Sequence, residues 1–413
     1  MRFLLRQVKR LLIVPVLFIG CLLGALPFMF VYIRARYRAM KADGIPDGPH
    51  VAPPAQDERS MDDIFERLEQ VPFDPVRPLT VGMLKAMISG SIMPFLNAKR
   101  STSAVLLPYP EEFEDVTFES FDGTPLAAVV GIHKDGKRRP GLVISHGMMS
   151  SKNDPGIQEL FLTAYAGWGF NVLAVDLRNF GKSQSLSNTP SAAGWKEGED
   201  LLASAKFLGE MPEVTSVGIT GFSMGAGSTM RAAYSAKEYP YLTGGAIAWN
   251  GYSDARRQLD YIDTKPPVTD PFYPAYWSFV GTQKLRKNDM KQYVDDPEIR
   301  AFLDQPFKEF NFENYVEKIA APYYGVTADE VFSNASSKEY LADIEVPLLI
   351  IHAADDPICP PSEMDDLIEP ADQNPNVNVW MLWTGNHCAF RWYDRNWYET
   401  VLRDFFTYWA TWE

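Results

Sequence analysis

The chain has 413 residues, 46% of them hydrophobic and 13% aromatic, which is enough for a sizeable core and excludes a disordered protein. The net charge of −14 hides a split: the segment Met1–Lys41 carries eight basic side chains and no acidic one, and the rest carries 31 basic against 53 acidic. An acidic body of that size repels phosphate backbones, so no nucleic acid partner is expected.

Leu11 to Ile33 is an uninterrupted run without a charge, flanked by four basic residues on each side. At ~1.5 Å per helical residue it is long enough for a ~30 Å hydrocarbon layer. A cleavable signal would show an apolar region of ~7 to 15 residues and a small-x-small site. A lipoprotein-type ending at Cys21 would turn polar afterwards, whereas twelve mostly apolar residues follow. The run therefore predicts an uncleaved N-terminal transmembrane helix within residues 1–41, over the alternatives of a signal or a buried core helix. The equal flanking charges do not orient it. The two further cysteines, Cys359 and Cys388, have neither metal-type spacing nor a disulfide framework. Reduced thiols are the default and favour a cytoplasmic body on a single-pass membrane protein. Nothing in the sequence indicates an oligomeric state.

Residues 42–104 open with "DGIPDGPHVAPPAQDE", a semi-extended linker by its proline and acid content. Two helices are expected after it, over Met61–Gln70 and Thr80–Leu96. The second carries a single lysine and suits either a bilayer surface or a cover for the core.

The body, residues 105–413, begins with a hairpin signature: a strand from Phe113, an Asp122–Gly123 turn and a second strand. Continuously apolar strands then alternate with helical stretches: "GLVIS", a helix near Gln158–Trp168, "NVLAVD", a helix near Glu199–Leu208, "SVGIT", a helix from Met224, "GGAIAW", and later "PLLIIHA" and "VNVWMLW". That alternation predicts an α/β fold with a mostly parallel sheet covered by helices on both faces. Residues 251–345 hold no comparable strand, and an insertion that long predicts a mostly helical cap.

The chemistry centres on "GFSMG", in which Ser223 stands between Gly221 and Gly225, after a strand and before a helix. This is the pattern of a nucleophile elbow, where glycines let strand and helix close on a strained turn that projects the serine oxygen. A serine hydroxyl needs a base, and the base needs a carboxylate to hold its tautomer. His387, in the loop after "VNVWMLW", is the one of five histidines far enough downstream to follow an acid at the end of a later strand. Asp355 and Asp356 end the strand "LLIIHAA"; Asp356 fits the acid, with Asp355 as a neighbour that shapes the turn. The backbone amides of Met148 and Met224 are the expected oxyanion donors. His146 would brace the Met148 loop, His352 would belong to the core, and His133 and His50 would face solvent. Asp176 would tie down the loop after its strand. The cap aromatics Phe272, Tyr273, Tyr276, Trp277 and Phe279 would pack on one another rather than line an acyl pocket. No HExxH, P-loop or GxGxxG follows a strand, so neither a metal nor a nucleotide cofactor is expected.

These residues resemble the α/β-hydrolase superfamily from about Phe113 to the C-terminus. The run "FNFENYVEKIAAPYYGVTADEVFSNASSKEYLADIEVPLLIIHAADDP" resembles its membrane-anchored YheT-like branch through a Tyr-Gly, an Ala-Ser-Ser and an Asp-Asp-Pro. The resemblance implies carboxylesterase or lipase-like activity on acyl lipids, with Ser223, Asp356 and His387 as the triad. Two segments depart from the branch: "DLRNFGKS" is closer to other esterase and peptidase branches, and "AGSTM" lacks a frequent asparagine. A peptidase or amidase of the same fold is the alternative, with Glu309, Glu313 and Glu317 on one face of a cap helix; a non-catalytic binding module is another.

Overall fold

The computed structural model describes residues 31–75, 108–270, 272–291, 297–306 and 311–413. Most of the expected transmembrane run and the whole of Thr80–Leu96 lie outside them. Among the described residues no helix is long and apolar enough to cross a membrane.

Eight strands form one sheet in the order β1-β2-β4-β3-β5-β6-β7-β8. They are β1 (Glu114–Glu119), β2 (Pro125–Gly131), β3 (Arg139–Ser145), β4 (Asn171–Asp176), β5 (Val214–Phe222), β6 (Ala246–Trp249), β7 (Leu348–Ala353) and β8 (Val377–Leu382). β2 pairs antiparallel with both β1 and β4, and every other pairing is parallel. The hairpin turns where the sequence places it: Gly123 takes a φ of 79° and the Asp122 carboxylate accepts the Thr124 amide at 3.0 Å. Strands β3, β4, β6 and β7 are buried along their whole length, as their unbroken apolar runs require when helices cover both faces. The edge strands β1 and β8 are partly exposed.

The helices divide the core in two. We number them α1 (31–43), α2 (Met61–Glu69), α3 (Pro155–Trp168), α4 (Trp195–Gly209), α5 (Met224–Ser235), α6 (Ala255–Asp263), α7 (Tyr273–Met290), α8 (Pro297–Asp304), α9 (Phe312–Tyr324), α10 (Ala328–Ala335), α11 (Asp365–Asp372) and α12 (Arg395–Trp409). One face of the sheet packs against α4, α5, α11 and the cap helices. The other packs against α3 and α12, which are covered in turn by α1 and α2. Ile33, the last residue of the uncharged run, is 2% exposed and buried among these side chains, so that end of the run belongs to the folded body. Residues 31–75 are thus docked on the body rather than strung out from it.

The insertion between β6 and β7 is helical, as its lack of strand pattern implies. Its helices are separate pieces: α8 stops at Asp304 ahead of Pro306, which cannot donate to a continuing ladder. A new helix, α9, starts at Phe312 under the side-chain cap of Asn311 and widens to a π turn over Val316–Ala320. Phe272 is fully buried and packs on Tyr261, Tyr276 and Phe279, so the cap aromatics do pack on themselves. Asp263, at the end of α6, ties the cap together by accepting the Phe312 amide at 2.6 Å and the Gln283 side chain at 3.2 Å.

Candidate active site

The turn from β5 into α5 puts Ser223 at φ 59° and ψ −121°, a conformation that costs a non-glycine residue about 1–3 kcal/mol. Its amide donates to Trp249 O at 2.9 Å, which anchors the turn to β6. The glycines answer to space: a Cβ on Gly221 would meet Gly225 O at 2.1 Å, and one on Gly225 would meet His146 O at 2.4 Å. Alanine at either position would push strand, helix and neighbouring loop apart. A Cβ on Gly147 would lie 3.5 Å from Ser223 Oγ, so the loop after β3 passes directly over the serine.

Two loops from the far side of the sheet meet there. His387 follows β8 and holds its Nδ1 at 2.9 Å from Asp356 Oδ2 and 3.1 Å from Oδ1. With a carboxylate as partner Nδ1 must donate, so in the neutral ring Nε2 is the accepting nitrogen. Asp356 follows β7, and its side chain is fully buried. Its Oδ1 accepts the Ile358 and Cys359 amides at 2.8 and 3.0 Å, and its Oδ2 accepts Asn250 Nδ2 at 2.7 Å. Burial pushes this carboxyl's pKa up, but the charge and hydrogen bond of His387 and the loop amides outweigh it, and the pKa stays below the ordinary value. The Ser223 side chain lies near the Cys359 thiol, whose Sγ is within 4.8 Å of ligand atoms of both Asp356 and His387. Ser223, Asp356 and His387, which three separate strands deliver from distant parts of the sequence, are therefore gathered around one point at the C-terminal edge of the sheet.

A profile of the α/β-hydrolase fold matches residues 140–392, more than half of the chain and all three of these residues. The chain belongs to the α/β-hydrolase family. Among curated relatives, this hydrolase is 25% identical over 272 residues to a protein of Synechocystis sp. named as an esterase, covering 60% of this chain and 70% of that one. It is 23% identical over 274 residues to a monoacylglycerol lipase of Saccharomyces cerevisiae, covering 64% of this chain but 58% of the relative. Among solved structures, an esterase of Pyrococcus furiosus aligns at 22% identity with a TM-score of 0.47, over 71% of this chain and 91% of that one.

The loop over the hydrolase's serine is held from below. Asp176, at the end of β4, accepts the Lys152 amide at 2.6 Å and the Lys152 ammonium at 3.0 Å, and also the Lys182 amide at 2.8 Å. It thus secures the loop after β3 as well as the one after its own strand. His146 braces the same loop: Nδ1 faces Gly147 O at 2.7 Å and Nε2 accepts the Leu177 amide at 3.2 Å. Burial lowers its pKa, which suits a neutral ring with one donor and one acceptor. Met148 and Met224, whose amides are the expected oxyanion donors, flank a pocket whose lining also includes the apolar Met149, Phe180, Leu259 and Phe312 and the polar Asn179, Ser191, Gln283 and Asn311. It offers about 580 Å³ including its open mouth, and among the described residues no charged side chain lines it.

Sequence reasoning missed two contributors, Asn250 and Cys359, and gave a third, Asp355, only part of its role. Asn250, one residue past β6 at φ 50°, donates to Asp356 and to Asn386 O and accepts the Cys388 amide, so it locks the acid loop to the histidine loop. A polar residue at a strand's C-terminal end, in "AIAWNG", was the signal. Asp355 does more than shape its own turn: it accepts Thr384 Oγ1, the Gly385 amide and the Asn386 amide at 2.7 to 2.9 Å, holding the residues that precede His387. Cys359 has no sequence signature beyond its distance from Asp356.

Among the other histidines, His352 is buried and its Nε2 meets Cys359 O at 3.0 Å, so it supports the acid loop. His50 is exposed as expected. His133 is not: it is 3% exposed and stacks on Tyr165 at 3.9 Å between ring centroids. The chain after β2 folds inward over α3, and burial pushes this imidazole's pKa down to about 4. Of the glutamate stripe, Glu313 and Glu317 are exposed and neither lines the pocket, while Glu309 lies outside the described residues.

Proposed function

We propose that this hydrolase is a membrane-anchored serine esterase that cleaves carboxylic esters, acyl lipids in particular, through an acyl-enzyme. The observation that carries the reading is the His387–Asp356 pair beside a serine on a strained elbow. His387 Nε2 takes the Ser223 proton as Oγ bonds to the ester carbonyl carbon. The amides of Met148 and Met224 stabilise the oxyanion, and Asp356 stabilises the imidazolium. Collapse of the tetrahedral adduct breaks the C–O bond, and His387 returns the proton to the leaving alcohol. Water, deprotonated by the same imidazole, then attacks the acyl-enzyme and releases the acid and Ser223.

The uncharged lining of the pocket favours an acyl chain over a peptide terminus, which would require a charged partner. The lipid class follows the YheT-like motifs at Tyr324–Gly325, Ala335–Ser337 and Asp355–Pro357 and the uncharged run Leu11–Ile33. Cys359 and Cys388 form no disulfide among the described residues, which accords with a body on the cytoplasmic side. The test is a fluorophosphonate probe on full-length protein, followed by p-nitrophenyl ester turnover. Labelling at Ser223, absent in Ser223→Ala, supports the reading. A well-folded wild-type chain that neither labels nor turns over would replace it with a binding module, and turnover of aminoacyl anilides above esters would replace it with a peptidase.

A further inference from the structure

Three features that lie far apart in sequence meet at the same edge of the sheet as Ser223. The first is the start of α1. Arg36 in its first two turns reaches Glu399 at 2.5 Å, Thr163 at 3.0 Å and Glu159 at 3.7 Å, and the Arg395 guanidinium lies 5.1 Å from the Tyr32 ring centroid. Further on, Met40 approaches Gly167, and Pro46 O accepts from Arg139 at 2.6 Å. α1 therefore runs parallel to α3, from the start of α3 to its end. The starts of α3 and α12 are where the chain leaves the loops after β3 and β8, so residue 31 stands at the catalytic edge. Val31 and Tyr32 are 66% and 39% exposed there, and the sequence upstream is uncharged back to Leu11.

The second feature is the pair of positions where residues 76–107 depart and return. The Asp74 amide is bound by Asp394 at 2.8 Å, at the N-cap of α12. On return, Pro108 O accepts from Arg34, and the Tyr109 hydroxyl donates to Lys152 O at 2.7 Å, in the loop over the serine. Both positions belong to the catalytic edge, and the sequence between them includes Thr80–Leu96, in which Lys85 is the sole charge. The third is Trp383, just past β8 and shortly before His387, which is 62% exposed and touches only Phe73 among described ring partners, at 6.4 Å.

We propose that this edge is the surface that rests on a lipid bilayer, so that the active site faces the membrane and acyl lipids reach the pocket from it rather than from water. The inference rests on the membrane reading above and adds an orientation to it. Exposed tryptophan and tyrosine suit the headgroup level, where an apolar ring and a polar tip are both satisfied. If the uncharged run were an anchor leaving from the opposite edge, α1 would have to run antiparallel to α3. The folded chain fixes the exit side, whichever leaflet the protein faces.

The test uses full-length protein, with Cys21 and Cys388 replaced by serine, in vesicles of phosphatidylcholine and phosphatidylglycerol carrying doxyl-labelled chains. A bimane fluorophore is attached at Trp383→Cys, at Tyr32→Cys and, on the opposite edge, at Lys137→Cys. Quenching of the first two and not of the third supports the proposal. Flotation with vesicles but quenching at residue 137, or at none of the three, leaves the anchor standing and overturns the orientation. Failure to float overturns both. A shielded label without quenching, in a chain that cross-links to a second copy, puts that copy on this surface and overturns the proposal. In parallel, Trp383→Asp should slow turnover of vesicle-embedded esters about fivefold and leave soluble p-nitrophenyl acetate unchanged. Equal loss on both substrates would mark a merely structural role.

Discussion

The acid and histidine loops hold the His387–Asp356 pair, the cap walls the pocket beside Met224, and the two are held in different ways. The loops are over-determined: Asp356 accepts four hydrogen bonds, Asp355 three more, and Asn250 joins the two loops across long stretches of sequence. The cap is tied to the body by side chains spread along its length, Arg257 to Glu363 and Asp366, Gln258 to Ile358 O, Tyr261 to Pro357 O and Tyr324 to Arg178, and within itself by Asp263, whose burial pushes its pKa up to about 6. One network converges on two neighbouring carboxylates, and the other is spread over many separate contacts. Such convergence is expected where a charge must be positioned to a fraction of an ångström.

The sharpest way to break this comparison is at the base. His387→Ala should lower ester turnover by about 10³-fold or more at unchanged fold, measured as kcat with circular dichroism as a control. A smaller loss would mean that another group takes the Ser223 proton. Asn250→Ala should lower kcat about tenfold with little change in KM, because the imidazole loses alignment while the pocket is intact. It should also destabilise the fold by about 1–3 kcal/mol, since Asp356 loses a donor in a buried site. An effect on KM alone would put Asn250 in substrate binding instead.

The smallest effect belongs to the cap. Because the Asp263 carboxyl titrates at about 6 when folded against an ordinary 3.8, the folded cap binds this proton more tightly than an unfolded one. Its contribution is complete below about pH 4 and is lost as pH rises through 6. Limited proteolysis within the cap should therefore quicken between pH 5 and 7. Asp263→Asn, which keeps an acceptor for the Phe312 amide and removes the charge near Asp260, should abolish that rise. A rise that persists in the variant would assign it to another group.

Much of this architecture can be read before any coordinates. Apolar runs mark buried parallel strands because helices on both faces leave no solvent side, and Gly221 and Gly225 mark the elbow because only glycine leaves room for Gly225 O and His146 O. Chain order then points from Ser223 to Asp356 and His387. What stays hidden depends on contacts between distant loops. Asn250 looks like any polar residue ending a strand until the Asp356 and Asn386 loops arrive beside it. His133 reads as a surface residue because its stacking partner, Tyr165, belongs to a helix on the far side of a whole strand, β3. The pocket wall of Phe312, Tyr315 and Val316 is equally silent, since three side chains on one face of a short helix in a long insertion carry no sign of which cavity they will face.

The buried Lys152–Asp176 pair has a kinetic meaning as well. With its ammonium and amide both bound to one carboxylate, the loop that carries Met148 gives up its conformational freedom once, when the chain folds, and not again at every turnover. On the proposed mechanism, an ester carbonyl would then meet a Met148 amide already held in place.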